Sequence, residues 1–192
     1  MAHPKLKADW KKLLDVVLFL ISDAQRTGSP ATQYQIVKSI FVADERHLND
    51  YGRPIAFCNY AAMENGPVPS EAFDLLKADF EWKKLDLKSA PWKRVPAPHV
   101  SKKAFQFKDV TRPPNMKALS ETDVEYLREA LATIRALGFL GTKDFTHRHI
   151  AYRSAWKEDE KRKSFPIDYT LLLKDKDEEL LSDIVHASQH AM

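Results

Sequence analysis

The sequence has few of the residues that build cofactor, metal and nucleotide sites. Its 192 residues include a single cysteine, Cys58, and only five glycines. One cysteine excludes a disulfide framework within the chain and a zinc site built on cysteines, and it suits a reducing compartment. No Walker loop, GxGxxG, GxSxG or HExxH motif is present. The sequence therefore favours a protein that is not an enzyme and that needs no cofactor or metal.

Long hydrophobic runs are also missing. The longest strongly apolar run, Val16 to Ile21, is far shorter than the roughly 20 residues that a membrane-spanning helix needs. The first residues, Met1 to Lys5, do not form an apolar signal segment. We therefore expect a soluble, cytoplasmic protein with no membrane partner.

Charge is present but unevenly distributed. The net charge is +3, which is too small to indicate nucleic-acid binding by itself. Residues 83–117 nevertheless hold ten basic and two acidic residues, between two slightly acidic flanks. Three interpretations of this basic segment remain open: it binds single-stranded nucleic acid, it steers an acidic protein partner, or it is a solvated loop whose aromatic side chains face the core. Of the two binding interpretations, a nucleic-acid partner is less favoured than a protein partner.

Apolar periodicity of three and four residues predicts most of the structure to be helical. Ser29 or Thr32 is a candidate N-cap for the second helix, and Gly52 is expected to end it. Ser120 and Asp123 form a near capping box, Gly138 closes the helix that follows, and Thr146 is expected to cap the next helix. The predicted helices are Asp9 to Ala24, Thr32 to Tyr51, a helix after Ser70, Ser120 to Leu137, His147 to Lys157, and Asp177 to His190.

Extended structure is expected in the basic segment, where prolines disfavour a helix. Trp92 to Val95 and Ala104 to Val110 are predicted to form a small hairpin. The fold class is therefore mainly α (α+β), a compact multi-helix domain with a small β-hairpin or short antiparallel sheet. We expect residues 1–192 to form one domain, with a basic, proline-containing β insert at about 83–117.

Several pairs of polar residues could in principle carry chemistry. Asp44 lies three residues before His47 on one helix face, so it could orient that imidazole or help to hold a metal. The alternative is a buried aspartate that accepts hydrogen bonds from structural donors. His147 and His149 do not face each other on a helix, and His186 and His190 have chelating spacing near a helix end, where imidazolium also suits the dipole. No catalytic residue is assigned from these pairs.

One region carries a resemblance to a known family. The stretch from Phe41 to Ile55 contains an internal Asp44 and the turn YGRPI, and the segment AMENGPVPS follows from Ala62. Together with Thr146-His147 and the later Ala151-Tyr152, this resembles the Panacea domain, also called the SocA-like antitoxin or GepA phage-associated family. The resemblance covers roughly Trp10 to Trp156, and GPVPS is its most specific part.

The resemblance implies a mainly helical antitoxin of a two-gene toxin–antitoxin system, which neutralises its toxin by direct protein binding. At least one branch of the family acts instead as an adaptor that delivers the toxin to a protease. A metal-dependent hydrolase using Asp44 with His47 or His147 is a third, less favoured alternative. The oligomeric state and the identity of the toxin do not follow from the resemblance.

The motif positions are expected to be structural or to contact the partner. Gly66 and Pro67 would shape the entry to a helix, and Glu64 could bind free N–H groups at its start. The full set of matching positions is Asp44, Tyr51, Gly52, Pro54, Glu64, Gly66, Pro67 and Val68. We place the toxin interface on the basic segment and adjacent helix faces, with Trp92, Arg94, Phe105 and Arg112 as anchors.

Overall fold

A computed structural model describes residues 4–159, 161–175 and 177–190. Within these ranges the chain forms six α-helices and six short strands, so the mainly helical α+β prediction is confirmed. The helices are α1 (Trp10–Arg26), α2 (Gln33–Tyr51), α3 (Ser70–Leu75), α4 (Glu121–His147), α5 (Ile150–Ala155) and α6 (Glu178–His190). The strands are β1 (Ala31–Thr32), β2 (Tyr60–Met63), β3 (Gly66–Pro69), β4 (Lys93–Pro96), β5 (Phe105–Lys108) and β6 (Ser164–Pro166).

The two N-terminal helices begin and end where local chemistry places their caps. The Asp9 carboxylate accepts the Lys12 N–H at 2.9 Å and caps α1. Thr32 and Gln35 form a reciprocal capping box at the start of α2, and Gly52 ends that helix with a φ of 69°. Of the two candidate caps, Thr32 is the one that the structure uses, and the predicted end of α2 at Gly52 is confirmed.

Helix α4 starts at the predicted capping box of Ser120 and Asp123. Gly138, with φ 64° and ψ −170°, breaks the helix as predicted, but the chain resumes helical geometry at once and continues to His147. The prediction that Thr146 caps the next helix is wrong. Its hydroxyl donates to the Thr142 carbonyl inside α4, and the His149 side chain caps α5 instead.

Antiparallel pairing of β4 with β5 confirms the predicted hairpin in the basic segment, and β1 adds a third strand. Phe107 on β5 faces Ala31 on one side and Arg94 on the other. Because Trp92 and Phe107 lie in the same hydrophobic core as α1 and α2, this hairpin is packed into the body of the fold.

A second sheet, with strand order β3-β2-β6, was not predicted. Gly66 and Pro67 were expected to form a turn and a helix start, but they belong to β3 and pair with Met63 and Ala62 of β2. Proline is tolerated there because β3 is an edge strand and needs no N–H at that position. The helical turn begins only at Ser70.

Helix α2 occupies the centre of the fold and packs mainly against α4. It also contacts α1, α3 and both sheets, which explains why most of its residues are buried. In the described part of the chain, no helix has the length and apolar content needed to cross a membrane.

Candidate functional site

The carboxylate of Asp44 joins three separate parts of the chain. Asp44 is 2% exposed; its Oδ1 accepts the Ile55 N–H at 2.8 Å and its Oδ2 accepts the Tyr60 hydroxyl at 2.5 Å. Burial raises its pKa to about 6, although both hydrogen bonds oppose that rise. Asp44 thus ties α2 to the loop after Gly52 and to β2, as the buried-acceptor interpretation predicted.

His47 lies on the same helix but binds different partners. Its Nδ1 is 2.9 Å from the Arg53 carbonyl oxygen, and its Nε2 is 2.9 Å from the Thr122 hydroxyl oxygen. The ring packs against Tyr51 at 4.8 Å between centroids, and burial lowers the pKa of His47. Since Asp44 and His47 bind different groups, they do not form the acid–base pair that their spacing allowed.

The carboxylate of Asp123 lies close to His47 and to two basic side chains. Asp123 is fully buried, and its carboxylate lies 2.8 Å from Lys12 Nζ and 3.0 Å from Arg53 Nη2. Burial acts to raise the pKa of Asp123, but the hydrogen bond and charge of Lys12, with help from Arg53, hold it below its ordinary value. This network connects α1, the YGRPI turn and the start of α4.

A buried lysine that the sequence analysis did not select lies under the GPVP segment. Lys38 is 0% exposed, and its Nζ donates to the Pro67 carbonyl at 2.7 Å. Burial lowers its pKa to about 7. The sequence signal was a lysine in the apolar stripe of α2, between Val37 and Ile40.

Gly66 fits against this lysine because it has no side chain. Its φ is +99°, and a Cβ there would lie 2.7 Å from Thr146 Oγ1 and 2.8 Å from Lys38 Nζ. The neighbouring His147 packs on the Tyr152 ring at 4.3 Å, and burial, together with nearby lysine charges, lowers the pKa of His147. The two segments that carried the resemblance, GPVP and Thr146-His147, therefore meet in space.

The other motif positions have mixed surroundings. Pro54 and Val68 are buried, and Gly52 lies where a Cβ would contact Leu180 at 3.3 Å. Tyr51 is 52% exposed. Glu64 is exposed in the β2–β3 turn, so the expectation that it binds N–H groups at a helix start is wrong.

The predicted anchors in the basic segment are placed differently from one another. Trp92 is 5% exposed and packs edge-on against Trp82 and Phe107, so it contributes to the core and not to the surface. The Arg94 guanidinium lies 3.3 Å from the centroid of the Phe105 ring, on the β4–β5 hairpin. Arg112 makes an ion pair with Asp15 of α1 at 3.1 Å. Arg94 and Phe105 thus contact each other, whereas Trp92 and Arg112 make contacts with other parts of the fold.

Exposed apolar side chains are concentrated elsewhere. Eight large hydrophobic residues are exposed among the described residues, and five of them lie between residues 137 and 150. The sequence analysis did not identify this surface, because helical periodicity does not show which apolar side chains remain uncovered. We call it the α4 patch; its members, with their exposed fractions, are Leu137 (39%), Phe139 (49%), Leu140 (78%), Phe145 (43%) and Ile150 (55%).

The arrangement offers no assembled metal site in the part of the chain that the structure describes. There, no group of three or more histidine, cysteine, aspartate or glutamate residues could hold a metal ion. Asp44, His47 and Asp123 are held by structural partners, and the exposed features include the lysines of the basic segment and the α4 patch. These surfaces are suited to binding another macromolecule.

A comparison with family models matches residues 36–157 to the family described as Antitoxin SocA-like, Panacea domain. No curated protein and no solved structure matches the chain. The matched range extends from α2 to just beyond α5, so it contains Asp44, Lys38 and Gly66 as well as the α4 patch, and it leaves out α1. The match spans well over half of the 192 residues, and the chain therefore belongs to the SocA-like antitoxin family with a Panacea domain.

Proposed function

We propose that this protein is an antitoxin that neutralises a cognate toxin by binding it directly and masking the toxin's active surface. The observation that carries the proposal is the family match over residues 36–157. An antitoxin of this family requires a protein partner, and the fold presents exposed basic and apolar surfaces for one. We place this action in the cytoplasm.

The chemistry of the buried centre agrees with a binding role. The carboxylate of Asp44 and the imidazole of His47 are both occupied by structural partners. A general acid or base must reach a proton on a substrate, and neither group has a free path to one in this arrangement. The motif residues then serve to hold the scaffold that presents the binding surface.

The basic segment contributes long-range attraction in this proposal. Its lysines Lys83, Lys84, Lys88, Lys93, Lys102, Lys103 and Lys117 are exposed. Clustered positive charge of this kind speeds the association of an oppositely charged partner and favours the correct encounter. Within this positively charged segment, stacking on Phe105 holds the Arg94 guanidinium in place to contact the partner.

Co-expression tests the proposal. The product of the adjacent gene is expected to arrest growth when produced alone, to be harmless when this protein is also produced, and to co-purify with it. An adjacent gene product that does not arrest growth, or that arrests it equally in the presence of this protein, contradicts the antitoxin proposal.

The lifetime of the toxin separates masking from protease delivery. Masking predicts that the half-life of the toxin is unchanged or longer when this protein is present, because the complex protects it. Delivery to a protease predicts a shorter half-life that is restored when the cellular proteases are inactivated. Pulse-chase labelling of the toxin measures this difference directly.

A further inference from the structure

We infer that the α4 patch is the surface that docks the partner, and that the partner presents an apolar pocket or face rimmed by acidic side chains. This inference rests on the proposed function and goes beyond it, because it names the contact surface and the chemistry of the partner. It also differs from the interface predicted from the sequence, whose Trp92 is buried.

The geometry of α4 explains why these side chains are exposed. Gly138 breaks the helix, with φ 64° and ψ −170°, so the turns that follow are offset from the turns that precede it. Thr142 and Thr146 face inward after the break and are at most 1% exposed. Leu140 and Phe145 lie away from these two threonines around the helix and reach solvent.

Leu137 and Phe145, two members of the patch, lie on either side of Gly141 along α4. A Cβ on Gly141 would meet the Leu137 side chain at 3.3 Å, so Leu137 lies over the break and against the next turn. Gly141 and Phe145 are four residues apart on the same helix face, and Leu140 is adjacent to that row. Phe139 packs on Tyr34 of α2, with 4.9 Å between ring centroids, which fixes one edge of the patch. A cluster of exposed apolar side chains within one short segment of a folded protein points to an interaction site.

Charge around the patch identifies the partner's chemistry. Residues 137–153 contain three basic residues, Lys143, Arg148 and Arg153, and one acidic residue, Asp144. Asp144 is already 2.6 Å from Arg148, so it does not offset the remaining positive charge of the rim. A second copy of this chain would bring two basic rims together, which disfavours self-association through the patch. An apolar centre with an acidic rim on a different protein complements it.

Two double variants test the assignment, with the product of the adjacent gene as the binding probe. Leu140→Ser with Phe145→Ser removes the exposed centre of the patch. Ala132→Ser with Ala187→Ser is the control, since both side chains are exposed and lie outside the patch and the basic segment. Thermal unfolding checks that both variants keep the wild-type fold.

We expect the patch variant to bind the probe about 30-fold more weakly than the wild type, as hot-spot truncations do, and to lose its ability to restore growth. The control variant is expected to bind as the wild type does. If the patch variant still binds and protects like the wild type, the α4 assignment is wrong while the proposed antitoxin function stands. If the wild type itself does not bind the probe, both proposals fail.

Other occupants of the patch give different results. A free wild-type protein that is a dimer by sedimentation, and a patch variant that is a monomer, would assign the patch to self-association and overturn the inference. Binding of the wild type, but not of the patch variant, to phosphatidylglycerol vesicles, with probe binding unchanged in both, would assign the patch to a lipid surface and overturn it equally.

The acidic rim has a separate test. Replacing Lys143 and Arg153 with glutamine is expected to lower the association rate about tenfold at low salt, with a smaller difference at high salt, because screening removes the attraction. An association rate that does not change with either salt or these substitutions contradicts the acidic rim of the partner.

Discussion

Asp44 and Lys38 are buried ionisable residues. Each makes hydrogen bonds that hold a distant segment of the chain in place. Asp44 accepts two hydrogen bonds from donors more than ten residues away, and Lys38 donates one across 29 residues of chain. Burying such groups without partners would cost several kcal/mol, so each fixes the position of the segment that supplies its partner. Each also makes the stability of the protein depend on pH in its own direction.

The Asp44→Asn variant should reveal the buried carboxyl through the pH dependence of stability. The pKa of Asp44 is raised from 3.8 to about 6 in the folded protein, so the folded state binds more protons than the unfolded state within that window. The free energy of unfolding of the wild type, relative to that of the variant, should therefore fall as pH rises from about 4 to about 6, by up to about 3 kcal/mol. Urea titrations across this range measure it, and a constant difference between the two proteins contradicts the assignment.

For Lys38→Met, the difference in the free energy of unfolding between the wild type and the variant should change with pH in the opposite direction, and at higher pH. Burial lowers the pKa of Lys38 from 10.5 to about 7, so the unfolded state binds more protons than the folded state above that value. The stability of the wild type, relative to that of the variant, should rise as pH increases from about 7 to about 9, because the folded lysine is then neutral.

Lys77→Met is the control for this measurement, because Lys77 is an exposed lysine beside Asp74. Its stability should follow that of the wild type over the same range of pH. Parallel curves for the wild type and Lys38→Met would contradict a neutral buried amine.

At the scale of secondary-structure elements, the β2–β3 hairpin is the part that packing determined. Gly66 brings the backbone of β3 so close to Lys38 and Thr146 that only hydrogen fits there. The sequence analysis placed Gly66 and Pro67 at the entry to a helix, since a glycine followed by proline is typical of a turn, but both residues belong to β3. The strand forms because β2 supplies hydrogen-bond partners from residues 60–63 and α2 covers the hairpin.

Gly66→Ala is therefore expected to destabilise the protein strongly, by more than about 3 kcal/mol, since a methyl group adds a clash to the strain of a positive φ. Gly28→Ala is the matched control: Gly28 also has a positive φ, +128°, but nothing lies within 4 Å of the added Cβ. Its cost should be limited to backbone strain, about 1–2 kcal/mol. Thermal and urea unfolding measure both variants, and equal losses would show that close approach at Gly66 is unimportant.

At the scale of the whole molecule, α1 contributes to the hydrophobic core although it lies outside the range that matches the family. The family match begins at residue 36, whereas the resemblance in the sequence extends back to about Trp10. Yet α1 buries eleven of its residues, and its Lys12 and Asp15 make ion pairs with Asp123 and Arg112. The family domain in this protein therefore packs against a helix outside the matched range.

A chain that begins at residue 30 should lose cooperative unfolding, because the apolar faces of α2 and α4 that pack on α1 would be exposed to water. A chain that ends at residue 175 is the control: it lacks α6, whose buried residues are Ile184 and Ser188. Circular dichroism and limited proteolysis should show a folded, protease-resistant control and a protease-sensitive N-terminal truncation. A cooperative transition in the N-terminal truncation would show that the matched range folds alone.

The sequence by itself determined the features that depend on near neighbours and on motif spacing. The helix caps at Thr32 and Ser120, the helix end at Gly52, the break in α4 at Gly138 and the β4–β5 hairpin all follow from interactions within a few residues. The spacing of YGRPI and GPVPS identified the family. Only the tertiary structure decided which side chains are buried. Trp92 lies in the core, Lys38 is buried and donates to the Pro67 carbonyl, and the side chains of the α4 patch are exposed. An apolar stripe indicates that one face of a helix tends to be buried. Long-range packing determines which part of that face is covered by the same chain and which part remains exposed and available to another protein.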